Sequence, residues 1–372
     1  MAIFPAEGHR VPAEPQSAAS IGSQVRAAES PATESRPRLR IYPPSAPPPV
    51  DIRGLHVNDR AWMWPHTLTT LAYAAALVGG LWTWQQGYWP LTVACWLLGA
   101  QLGHMKLIAL HESAHGTLNA HPLRNEVQGL AVASMILVPL SAFRYVHSQH
   151  HAYLATPRDL ELWPYVNPET PRWVRILAVA AELTIGYFYT PVIFLRGVLV
   201  GENLPPRERR RIWIEYAAIA ATWCVVLPVV AWHGWWTELA VLYLVPSILS
   251  GNLQSLRKFT EHLGLLGSSI LETTRTVVDP SLIGTTFSEA MLHIDHHATH
   301  HRWAKMPHYN LPLATPAVYE GQPRHLPLFS SYAAAMLDMA RSLGNPRIGR
   351  QWLAPQSPRL ATEPELARAR AA

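Results

Sequence analysis

Cysteine is nearly absent from this chain. Only Cys95 and Cys224 occur in 372 residues, both inside apolar stretches. Two thiols fall short of the roughly four ligands an iron–sulfur cluster takes, and they make no disulfide framework. Both are read as small buried apolar side chains. Charge is scarce too: 15% of residues are Asp, Glu, Lys or Arg, with a formal net charge of +5. No stripe of cations interleaved with aromatics is present, so nucleic acid is not an expected partner. The basic residues fit a positive-inside membrane topology and anionic headgroups. The first fifteen residues place Pro5, Glu7 and Pro12 where the apolar core of a secretory leader would lie, so no leader is expected. There is no Gly-x-Gly-x-x-Gly dinucleotide fingerprint and no internal repeat at solenoid spacing.

Apolar residues, at 49%, are abundant and clustered. A bilayer core of ~30 Å takes about 20 apolar residues as a helix. Four stretches qualify: 66–84 and 89–110, joined by Gln85-Gln86-Gly87, and 212–232 and 236–251, joined by His233-Gly234-Trp235. They read as two helical hairpins. Residues 127–142 are short for a span and end near Pro139; residues 174–200 are interrupted by Glu182, Pro191 and Arg196. The first is expected to be an interfacial or re-entrant helix and the second one or two interfacial helices, with a full span the alternative for 174–200. Trp82, Trp84, Trp89, Trp213, Trp232, Trp235 and Trp236 sit at the ends of apolar runs, where an interfacial aromatic belt belongs. Arg209–Arg211 and Arg257-Lys258 fall on one side, read as cytoplasmic together with both termini. The expected fold is all-α and integral to the membrane: about four transmembrane helices in two hairpins, interfacial helices, and a helical cytosolic cap. Residues 1–55, rich in Pro, Ala, Ser and Arg, read as a disordered arm. Residues 56–325 form the membrane domain and 326–372 a polar tail.

Three histidine clusters lie beside these runs: His111-Glu112-Ser113-Ala114-His115, His147-Ser148-Gln149-His150-His151, and His293, His296, His297, His300 and His301. Imidazoles at i, i+3 and i+4 share one helical face and can share a metal. A solvated histidine face explains any one cluster; it explains three beside membrane-length segments poorly. The third cluster admits two registers, 293/296/297 and 297/300/301. His262, just past the last span, is a further candidate ligand, with His104, His121 and His308 ranked below it. Glu112, Asp159, Glu161 and Asp295 are candidates to accept the second ring N–H of a ligating histidine, with solvated loop charges the alternative for Asp159 and Glu161.

In the order and membrane context of these clusters, and in Pro307-x-Tyr309-Asn310-Leu311-Pro312 after the third, the chain resembles the membrane fatty acid desaturase family over roughly residues 60–320. The resemblance implies two non-haem iron ions on the cytosolic side, O₂ activation, and removal of hydrogen from an unactivated C–H bond of a fatty acyl or related lipid. It carries ligand roles to His111, His115, His147, His150 and His151, and to His262. For the third cluster the spacing to Pro307 favours His297, His300 and His301, whereas the acidic residue favours His293, Asp295, His296 and His297. With no haem, flavin or dinucleotide segment in the sequence, an external electron donor is implied, a ferredoxin-like or similar protein. Alternatives are a hydroxylase or ketolase of lipid or carotenoid on the same scaffold, and a membrane zinc protease in which His111, Glu112 and His115 form the His-Glu-x-x-His signature. A metal transporter would need polar residues within the spans, which have few.

Overall fold

A computed structural model describes residues 51–59 and 63–353. The proline run of the arm and residues 354–372 lie outside the described residues. The helices that build the body are α1 (Met63–Gln85), α2 (Trp89–His115), α3 (Pro122–Met135), α4 (Leu140–Tyr153), α5 (Arg172–Val200), α6 (Pro206–His233) and α7 (Trp236–His262), the last with a π turn at Ala240–Leu244. Among the described residues the only strands are β1 (Thr276–Val277) and β2 (Leu328–Phe329), paired in parallel. The fold is all-α and integral to the membrane.

Length and apolarity together qualify α2, α5, α6 and α7 as spans. Three coincide with the stretches expected from sequence. The first expected stretch does form a helix, α1, of 23 residues, or about 34 Å at 1.5 Å per residue, but it is less apolar than the others. The reason lies in its packing. Lys106 of α2 is buried and donates to the carbonyl of His66 and to the hydroxyls of Thr69 and Thr70, at 3.2, 2.7 and 2.9 Å. Thr83 accepts from Thr92 at 3.1 Å. The polar groups of α1 thus face its partner helix, where their hydrogen bonds are met, while Leu68, Leu71, Val78 and Trp82 face outward. α6 joins α7 through a short turn, completing the second hairpin.

α3 and α4 meet at 96° across a break ending at Pro139, the geometry of a broken span or a re-entrant loop. α5 runs 29 residues but leaves helical geometry at Ile185 (φ −130°, ψ 34°). One arm reaches the level of the histidines through Glu182, whose carboxylate is paired with Lys258 and takes the Tyr165 hydroxyl at 2.8 Å. The other returns beside Val146 and Leu160 at Gly197. The bend between them lies against Gly251 of α7. Its charges point inward: Arg175 donates to the Thr170 carbonyl at 2.8 Å, and the Arg196 guanidinium sits 3.9 Å from the centre of the Trp163 ring. Turning such groups from lipid is what lets an interrupted sequence remain a membrane-embedded helix.

After α7 the chain forms a cap from α8 (Ile270–Thr273), α9 (Leu282–Ala290), α10 (His297–Arg302), α11 (Leu311–Tyr319) and α12 (Tyr332–Ala340). Part of the segment 327–353 packs onto the body: Met339 and Ile348 are buried with Tyr165, Phe259 and Leu263. At the other end Ile52 and Leu55 pack against Met306, Leu311 and Ala314.

Candidate metal centre

α2 starts with Pro90 in its first turn and ends at Gly116, whose left-handed φ of 79° lets the chain turn off the helix directly after His115. His111 and His115 are therefore one turn apart at the C-terminal end of a membrane-length helix. α4 carries His147, His150 and His151 on one short helix, α7 ends on His262, and α10 begins at His297 and supplies His300 and His301.

These side chains converge in two groups. One holds His111, His115, His147, His151 and His300; the other holds His150, His262, His297 and His301. Within each group one ring nitrogen per residue lies within 4.8 Å of all the others. α4 and α10 each serve both groups: the pairs four apart, His147 with His151 and His297 with His301, stay together, whereas His150 and His300 fall in the neighbouring group. Nε2 atoms face one another at 3.0 Å (His147–His115), 3.1 Å (His151–His147 and His300–His151), 2.9 Å (His297–His262) and 3.1 Å (His301–His297).

The outer ring nitrogens fix which tautomer is present. His147 donates from Nδ1 to Glu161 at 2.8 Å, His150 to Asp159 at 2.9 Å, His111 to Glu112 at 3.2 Å, and His262 to the Thr273 carbonyl at 2.9 Å. A carbonyl only accepts, so Nδ1 of His262 carries the proton and its Nε2 presents a lone pair. The same holds for imidazoles backed by carboxylates. Nε2 of His111 is buried and, among the described residues, has no hydrogen-bond partner. Convergent lone pairs in a buried site repel one another unless a cation lies among them, so both groups fit a metal ion. Burial first, and neighbouring imidazoles second, hold His297, His300 and His301 well below the usual histidine pKa, hence neutral and able to ligate.

Not every sequence candidate takes part. His293 and His296 join neither group. The helix that carries the third cluster begins only at His297. Residues 293–296 form a turn in which His293 has φ 52°, so helical spacing does not apply there. Nδ1 of His293 lies 3.0 Å from the Ser288 hydroxyl and Nδ1 of His296 2.7 Å from that of Thr315. Asp295 accepts from Ser288 at 2.7 Å and backs no imidazole of either group. His104, His121 and His308 are also outside both groups. Sequence reasoning missed Glu261: its carboxylate oxygen lies 3.3 Å from Nδ1 of His297, and it is paired with buried Arg257 one turn back on α7. The available signal was an Arg/Glu pair at i, i+4 on an otherwise apolar helix, adjacent to a histidine.

Glu112 points away from the shared space. One carboxylate oxygen takes the outer nitrogen of His111 and the other the Thr117 hydroxyl at 2.7 Å. In a zinc protease that glutamate must face the metal-bound water; here it sits behind the His111 ring. The geometry does not suit the protease alternative.

A cavity of about 50 Å³ lies beside the first group, with no histidine of either group in its lining. Phe143, whose ring centre is 5.5 Å from that of His147, and Glu161 line its inner end; Leu107, Leu110, Ile193 and Phe194 form its walls.

The profile of the fatty acid desaturase family matches residues 87–333, which include every histidine of both groups. Over 265 residues the chain is 24% identical to an oleoyl-12-hydroxylase of Ricinus communis (62% of this chain, 66% of that one). It is also 24% identical over 262 residues to a Delta(12)-fatty-acid desaturase of Arabidopsis thaliana (62% and 66%). Against a Delta(12) acyl-lipid conjugase (11E,13E-forming) of Momordica charantia the figures are 27% over 258 residues (62% and 63%). These matches span just under two-thirds of the relatives' own length. With the profile covering well over half of its residues and both histidine groups inside the match, the chain belongs to the fatty acid desaturase family.

Proposed function

We propose that this protein is a membrane-bound, O₂-dependent lipid desaturase that removes hydrogen from an unactivated C–H bond of an acyl chain. The observation that carries this reading is the convergence of nine imidazoles into two adjacent buried groups. Two iron ions fit the sites: His111, His115, His147, His151 and His300 would hold one, and His150, His262, His297 and His301 the other. Neutral imidazole suits iron among the first-row metals, and an iron pair supplies the O₂-dependent oxidising power the reaction needs. The protein's own contribution is to orient and exclude. Glu112, Asp159, Glu161 and the Thr273 carbonyl fix ring orientation, Glu261 sits beside the His297 ring, and apolar side chains would hold the acyl chain and keep water from the reacting carbon. Electrons come from a separate redox protein. The histidines and both termini face the cytoplasm, on the side of Arg209–Arg211.

A second reading, hydroxylation on the same scaffold, is favoured by one observation: the relatives include a hydroxylase and a conjugase as well as desaturases. Lipid extracts from expressing cells separate the two, by a loss of two hydrogens or a gain of oxygen. The purified protein is expected to carry about two irons per chain and to give an oxidised lipid only with O₂. Zinc in both sites, or unchanged turnover in His150→Ala, overturns the proposal.

A further inference from the structure

Among the described residues of the cap, the most exposed large apolar side chains lie on α9. Leu282 and Ile283 are 82% and 83% exposed, and Phe287 is exposed with them. At roughly 100° per residue, Leu282, Ile283, Thr286 and Phe287 share one face and Ser288 lies opposite. Ser288 ties the helix down. It is buried, its hydroxyl donates to Asp295 at 2.7 Å, and its carbonyl accepts the His293 N–H at 2.8 Å. The apolar face therefore points away from the protein. Glu289, the charged residue of α9, stands at the edge of that face, near enough to His293 to act on its charge.

The height of α9 is read from α2. The side-chain amide of Gln101 donates to the carbonyl of Ala290, the last residue of α9, at 3.1 Å. Gln101 lies about 15 Å along α2 from His111 and about 18 Å from Trp89. A hydrocarbon core of ~30 Å measured from Trp89 extends well past it. One turn before Gln101, on the same side of α2, Leu97 and Leu98 are exposed. Met291, directly after α9, is buried with Ile108 and Ala109. The end of α9 thus abuts the lipid-facing strip of a span, and the helix is only about 13 Å long.

The polar groups of α9 fit the same placement. The last four carbonyls of a helix in water are left to solvent. Here each has a protein partner. Phe287 accepts from the Met291 N–H at 3.1 Å, Ser288 from His293, Glu289 from Leu292 at 3.0 Å, and Ala290 from Gln101. The hydroxyls of Thr285 and Thr286 turn back to the carbonyls of Ser281 and Leu282, at 3.0 and 2.8 Å. Those of Thr184 in α5 and Thr222 in α6 do likewise. Hydrocarbon demands such internal pairing, and water does not.

We propose that α9 is seated in the leaflet on the histidine side, with Leu282, Ile283 and Phe287 among lipid acyl chains. The bilayer is the occupant of this face because the face continues the exposed apolar strip of α2. Through Ser288 and Asp295 the insertion also tethers the turn that precedes α10. The cap is thereby held against the bilayer, and an acyl chain reaches it without crossing water. This goes beyond the proposed function and does not depend on which reaction the protein performs.

The test uses the full chain in phosphatidylcholine vesicles, with Cys95 and Cys224 replaced by alanine. A single cysteine, Ile283→Cys, carries a polarity-sensitive fluorophore. Leu98→Cys on α2 gives the lipid reference and Ser268→Cys in the cap the water reference. The label at Ile283 is expected to emit at a blue-shifted wavelength, as at Leu98. It should lose its emission to a nitroxide carried on the lipid acyl chain and keep it in aqueous iodide. Emission that iodide quenches and the nitroxide lipid does not, as at Ser268, overturns the inference. Blue-shifted emission that neither quencher reaches also overturns it, since protein, such as a second copy of the chain, then covers the face. If Ile283→Cys does not accumulate, Leu282→Cys carries the same expectation. None of these readings requires turnover, so a failure of the proposed function leaves them intact.

Discussion

At the scale of single residues, helical register separates the histidines that converge from those that do not. His293 and His300 belong to one dense histidine run, yet only His300 lies on α10 and points into a group. His300→Ala is expected to lower bound iron and abolish turnover. His293→Ala should keep its metal; metal analysis of the two purified variants distinguishes them. The carboxylates behind the rings offer a finer test. Outer-sphere partners of metal ligands are worth about 10- to 100-fold in affinity or activity. Asp159→Asn and Glu261→Gln are each expected to lose activity in that range while still reaching the membrane. Asp159 carries the further load of three backbone N–H groups, those of Ala155, Glu161 and Leu162, so its variant should also destabilise the loop after α4.

At the scale of elements, contact between α5 and α7 decides the shape of the cavity. The helices approach at Gly186 and Gly251, where a Cβ on either would clash with the other's backbone at 2.9 Å or less. Gly251→Ala must push α5 outward. A cost of about 1–3 kcal/mol is expected, read as a lower thermal midpoint in detergent. Gly344→Ala, with nothing within 4 Å of the added carbon, should stay within about 0.5 kcal/mol of the parent. The same contact explains why α5 defied a simple span assignment. Glu182, Pro191 and Arg196 are legible as interruptions, but the partners that make the two charges tolerable, Lys258 with Tyr165 and Trp163, are distant in sequence.

At the scale of the molecule, the two hairpin turns and the histidine groups lie at opposite ends of α2 and α7. Trp82, Trp89, Trp232, Trp235 and Trp236 are exposed around those turns, where an interfacial belt anchors a span. The proposed orientation puts them on the outer side. A cysteine introduced at Gly234 should therefore react with an impermeant thiol reagent in intact cells. One introduced at Ser268, in the cap beyond α7, should react only after permeabilisation; the reverse pattern would refute the orientation.

Composition and local spacing were enough for the class of fold and for singling out the histidine clusters as candidates. Those signals are short-range: apolar runs set by bilayer thickness, and imidazoles repeating with the helical turn. They could not choose the third register, because the start of α10 is fixed by the turn before it and by contacts with β1 and α11, not by the spacing of the histidines. Nor could they divide nine imidazoles into five and four, find Glu261 behind His297, or bring Tyr187 against Tyr243, residues 56 positions apart. Each is a meeting of side chains from separate helices. One helix's periodicity states which face a residue occupies and is silent about what stands opposite.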